Sequence, residues 1–121
     1  MAHYFLGKIA FKNNNYDEAT IYLNKYINSV SDPIIVCGAI RLLHSISSQN
    51  GNHAECLDIL KKGNKFNLGI GSKLELALLE AYTNIKLNDL ASARKKIDNI
   101  LQLKKIPSSI RQKADELNGM M

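Results

Sequence analysis

Three stretches of this chain hold residue types that could do chemistry. His53-x-x-Cys56 sets an imidazole and a thiol one helical turn apart, with His44 on the preceding segment. Zinc needs four ligands and a charge balance, and the neighbours Asn52 and Leu57 supply neither. Cys37 is the only other cysteine, no CxxC spacing exists, and Cys37 lies about two helical turns from the level facing Cys56, too far for a disulfide. Arg94-Lys95-Lys96 and Lys104-Lys105 form the densest basic cluster. Such a cluster can hold phosphate or an acidic lipid surface, but without interleaved aromatics it also reads as the outer face of a helix whose last turn favours cations. Gly69-Ile70-Gly71 is too short for a phosphate loop and follows no strand pattern, which leaves a turn. No Ser/His/Asp, paired-carboxylate or metal-hydrolase arrangement occurs at usable spacing. The expectation is a non-enzyme with no cofactor, no metal and no small-molecule substrate.

The elements around these residues follow from size and periodicity. The chain has 121 residues, 45% of them hydrophobic and 22% charged, enough for one continuous core. Its net charge of +5 divides as 0 over residues 1–36, +2 over 37–72 and +3 over 73–121. That modest, C-terminal excess favours acidic partners and falls short of a nucleic-acid footprint. No apolar run approaches the roughly 18 to 20 residues of a membrane span, so the sequence reads as a soluble domain, cytoplasmic by default.

A period of 37 residues runs through the chain. It carries Gly7 to His44 and Ala81, Asn15 to Asn52 and Asp89, Ala19 to Cys56 and Ala93, and Leu23 to Leu60 and Ile97. In this register His53 falls where Tyr16 and Leu90 fall, so His53 and Cys56 are packing positions before they are ligands. Apolar residues recur three and four apart, as in Ile21, Leu23, Tyr26, Ile27 and Val30, which predicts helices over 2–13, 16–30, 33–48, 52–64, 72–87, 89–103 and 107–118. Asn15-x-x-Glu18, Asn52-x-x-Glu55 and Ser72-x-x-Glu75 read as capping boxes, and Asp32-Pro33 as a cap before a proline at the first helical position.

Leu6-Gly7, Ala10, Tyr16, Ala19, Leu23 and Asp32-Pro33 resemble the tetratricopeptide repeat (TPR), a 34-residue helix-turn-helix with small residues where the helices touch. Leu43, Asn52-His53, Cys56 and Leu60 continue the resemblance, as do Ala81, Asp89-Leu90, Ala93 and Ile97. The chain departs from it in its longer period, in His44 where a small residue is usual and in Glu80 where leucine is usual. The resemblance implies an all-α, right-handed α-solenoid of three TPR-like hairpins (about 2–32, 33–69 and 70–106) plus a capping helix at about 107–118, in one domain over 1–121. It also implies a concave groove walled by the first helix of each hairpin. Its residues would be Tyr4, Lys8, Phe11 and Lys12, then Arg41, Ser45, Ser48 and Gln49, then Leu78, Tyr82, Ile85 and Lys86.

The clamp with which some TPR proteins grip a terminal carboxylate is not reproduced, since its positions hold Tyr4, Lys8, Leu42, Glu75 and Leu79. The function implied is a protein–protein interaction or scaffold module, its partner a protein or peptide of acidic and apolar character. A self-assembling module, as a homodimer, and an anionic membrane or RNA binder through the basic cluster are the alternatives. Ile106-Pro107 with Ile110-Arg111-Gln112 and Ala114 resembles the closing segment of TPR domains in bacterial membrane-anchored, envelope-facing proteins related to the ancillary Sec translocon subunit. That likeness implies a membrane-anchored parent with an envelope-facing domain. A first helix that opens at residue 1 without a cap fits the same expectation, that of a fragment of a longer chain.

Overall fold

A computed structural model describes residues 2–29 and 32–121. The readings that touch Met1 and Val30 lie outside the described residues. Those described form seven α-helices and no strand: α1 (Ala2–Lys12), α2 (Tyr16–Asn28), α3 (Pro33–Gln49), α4 (His53–Lys61), α5 (Ile70–Lys86), α6 (Leu90–Leu101) and α7 (Ser108–Gly119). A 3-10 turn at Lys62–Lys65 tightens the end of α4 around the buried Gly63. The chain gathers into two compact units, residues 1–69 and 70–121.

The turns inside the helix pairs α1–α2, α3–α4 and α5–α6 are built alike. Asn14, Gly51 and Asn88 take φ of 62°, 72° and 61°, the left-handed region that glycine and asparagine enter most easily. Each precedes a residue whose N–H returns to the helix just ended: Asn15 to the Ala10 carbonyl at 2.8 Å, Asn52 to Ser47 at 3.0 Å and Asp89 to Asn84 at 2.8 Å. These three positions stand 37 residues apart in the sequence.

The caps are less uniform than the pattern predicts. Asn52 accepts from the Glu55 N–H at 3.3 Å and donates its amide to the Glu55 carboxylate at 2.7 Å, a reciprocal box. Asn15 makes only the second of these bonds, to Glu18 at 2.6 Å. Asp89 accepts from the Ser92 N–H at 3.2 Å and caps α6. Ser72 caps nothing, because α5 begins at Ile70 and takes Ser72 into its first turn. Gly71 needs no left-handed backbone and faces open space, so nothing stops the helix from extending through it.

In the first unit α2 lies against both α1 and α3, and α4 lies on α3. The contact between α1 and α2 is close: a Cβ on Gly7 would stand 2.8 Å from the Leu23 side chain. Ala19, Leu23, Val36, Ala39, Ile40 and Cys56 are wholly buried. Each Leu or Ile sealed in this way contributes about 1.5–3 kcal/mol relative to exposure. The α2–α3 connection is tied by the Asp32 N–H, which donates to the Tyr26 hydroxyl at 3.1 Å, while the Asp32 carboxylate caps α3 through the Ile34 N–H at 2.9 Å.

In the second unit α5, α6 and α7 close on a core of Leu74, Leu78, Ala81, Ile97, Ile100, Ile110, Ala114 and Leu117. The narrow stripe Ile110, Ala114 and Leu117 is the buried face of α7, and most of that helix is exposed. Leu78, read from the sequence as a groove wall, belongs to this core instead. Glu80, the residue that departs from the repeat pattern, forms an ion pair with Lys96 of α6.

Candidate functional site

The predicted groove residues of the first unit sit on α1 and α3, two helices in contact. Tyr4 is half-buried, its ring 5.7 Å from that of Tyr26, and its hydroxyl would stand 2.8 Å from a Cβ on Gly38. A glycine on α3 therefore makes the space that Tyr4 fills. Lys8 places its ammonium 5.5 Å from the centre of the Tyr4 ring, within cation–π range, and Phe11 packs at 5.5 Å against the Tyr16 ring. Lys12, Arg41 and Gln49 are exposed, and Ser45 and Ser48 are half-buried. The aromatic members are thus largely used in packing, and the solvent-facing character of this face is basic and polar.

The second unit holds the remaining members. Tyr82 is half-buried, with the Lys86 ammonium 5.4 Å from its ring centre, the same i, i+4 pairing as Tyr4 and Lys8. Ile85 packs against the unit's core.

His44 and Cys56 meet inside the α3–α4 pair. The Cys56 thiol lies 3.7 Å from the His44 backbone carbonyl, and both side chains are buried. Burial first, and the nearby His53 second, hold the His44 imidazole below its ordinary pKa. Burial, then the Glu55 carboxylate, pushes the Cys56 thiol up, so it stays protonated and weakly nucleophilic. Among the described residues no three of His, Cys, Asp and Glu stand together as a metal site. The free thiols Cys37 and Cys56 act as small buried apolar groups.

The basic cluster is divided by its surroundings. Lys96 turns inward to Glu80, while Arg94, Lys95, Lys104 and Lys105 are exposed.

Two features were not anticipated from the sequence. Phe5, Leu6 and Ile9 are 54%, 42% and 56% exposed along the outer side of α1, opposite the face that buries Gly7 and Ala10. The signal was available, since α1 is apolar on both sides. The second is a cleft between α2 and α4, floored by α3. Its lining shows in the sequence as Asp17, Ile21 and Asn24 beside Glu55, Ile59 and Lys62, two sets with the same spacing of four and then three.

Compared with protein-family models, curated proteins and solved structures, the chain matches none. Among the described residues no helix is long and apolar enough to cross a membrane.

Proposed function

We propose that this chain is a protein–protein interaction module built from three TPR-like helical hairpins in a right-handed solenoid with α7 as its cap, and that its partner binds Tyr4, Lys8, Phe11, Lys12, Arg41, Ser45 and Gln49 of the first unit and Tyr82 and Lys86 of the second. The observation that carries the repeat reading is the recurrence of one left-handed turn at Asn14, Gly51 and Asn88, 37 residues apart. A repeat whose turns recur is a unit made for stacking, and stacked helical pairs present continuous faces to partners. The exposed cations Lys12 and Arg41, with Lys8 on the Tyr4 ring, suit an acidic partner through charge-assisted hydrogen bonds. An envelope-facing location rests on the resemblance of the Ile106–Ala114 segment alone.

The test is affinity capture from the native cell with the wild-type chain and with a Lys8→Glu, Lys12→Glu, Arg41→Glu variant as baits. Partners retained by the wild type and lost by the variant support this face. Identical sets from both baits remove it.

A second reading, self-assembly, is favoured by the exposed Phe5, Leu6 and Ile9 on α1. It predicts a sedimentation coefficient that rises with concentration and no longer does so in a Phe5→Ser, Ile9→Ser variant.

A further inference from the structure

We propose that the cleft between α2 and α4 of the first unit binds a short extended peptide segment carrying, on one face, a cationic side chain, then an aliphatic one, then a carboxylate. This surface is separate from the face bearing Lys8, Lys12 and Arg41, and the proposal stands whether or not that face binds a partner.

The cleft has a volume of about 430 Å³, inside the roughly 300–1,000 Å³ of ligand sites. Its floor is α3, which offers the buried side chains of Leu43, Ile46 and Ser47. Its chemistry changes along its length in matching steps on the two walls. Asp17 and Glu55 stand in the first turns of α2 and α4, both exposed. Four residues on from each come Ile21 and Ile59, and three further on come Asn24 and Lys62. The far end is closed by Lys62, whose ammonium donates to the Asn24 side-chain carbonyl at 3.2 Å. One end is therefore anionic, the middle is aliphatic and the other end is cationic.

Asn24 takes one of three ammonium protons and carries no charge to offset the lysine, so Lys62 keeps capacity for a carboxylate. The carboxylates at the other end have the complementary need. Glu55 is held by the Asn52 amide at 2.7 Å, which fixes its position without neutralising it. The spacing accommodates an extended peptide. At 1.5 Å per helical residue, the isoleucines lie about 6 Å from the carboxylates and the Asn24–Lys62 end about 10 Å. Alternate residues of an extended chain share a face and stand about 6.6 Å apart, so positions i, i+2 and i+4 meet the three zones in turn, with the flexible lysine stem covering the last interval.

The probe is a fluorescein-labelled nine-residue peptide of glycine and serine that carries an arginine, a leucine two positions on and a glutamate two positions beyond. It is titrated against the full 121-residue chain by anisotropy. The expected result is saturable binding that a scrambled peptide lacks and that weakens about tenfold in an Asp17→Asn, Glu55→Gln variant and in Lys62→Glu. Amide shift changes on binding should centre on Ile21, Ile46 and Ile59, and circular dichroism melts show which variants remain folded. Equal affinity for the scrambled peptide, unchanged affinity in both folded variants, or shifts centred elsewhere would overturn the proposal. Retention of binding by the Lys8→Glu, Lys12→Glu, Arg41→Glu variant supports it, and loss there would move the peptide to the other face.

Discussion

Gly7 carries a conflict between local and tertiary preference. In an isolated helix, Gly→Ala stabilises by about 0.8–1.0 kcal/mol. Here the added Cβ would meet the Cγ and a terminal methyl of Leu23 at 2.8 Å, and Leu23 is wholly buried, so the core around it would have to shift. Gly7→Ala is expected to lower stability by about 1–3 kcal/mol, the usual cost of overpacking, measured by urea denaturation. A stabilised variant would show that α1 can move away from α2. His44 gives a second residue-scale outcome. Its pKa is lowered in the fold, so between the folded value and the unfolded value near 6.5 the unfolded chain binds more protons. Stability is fully present above about pH 6.5 and is lost as pH falls through that window. Thermal melts between pH 7.5 and 5 should show this decline, and a His44→Gln variant should flatten it.

At the scale of the element, one hairpin turn is solved with two residue types. Gly51 enters the left-handed region without steric cost, whereas Asn14 and Asn88 accept a strain that asparagine tolerates better than most residues. Gly51→Ala is therefore expected to cost about 1–2 kcal/mol. Asn88→Gly should be close to neutral, since relief at φ of 61° is offset by the greater freedom of glycine in the unfolded chain. Chemical denaturation of the two variants side by side checks both. If Gly51→Ala costs nothing, the turn can adopt another conformation.

For the molecule as a whole, the wholly buried Ala19 and Ala93 hold corresponding places in the two compact units. Ala19→Leu and Ala93→Leu should each lower the melting temperature, with overpacking costs of about 1–3 kcal/mol. Scanning calorimetry makes the comparison. An unchanged melting temperature for either variant would mean that its helix pair is not packed through that alanine.

Much of this was readable from residue order, because helices are local objects. The apolar spacing set seven helices to within a few residues, and Asp32-Pro33 marked the start of α3 by a cap and a proline that act within one turn. The equivalence of Cys56 with Ala19 was enough to read the cysteine as a packing residue, and it is wholly buried. What required the tertiary structure were questions of partnership across elements. Leu78 falls on a groove wall by its repeat position but lies in the core, because α7 closes over α5 and α6. Lys96 belongs to the basic cluster by sequence, yet it pairs with Glu80 of the neighbouring helix. Periodicity reports which side of a helix is apolar, but it does not report what covers that side. The exposed Phe5 and Ile9 and the cleft between α2 and α4 arise from that difference.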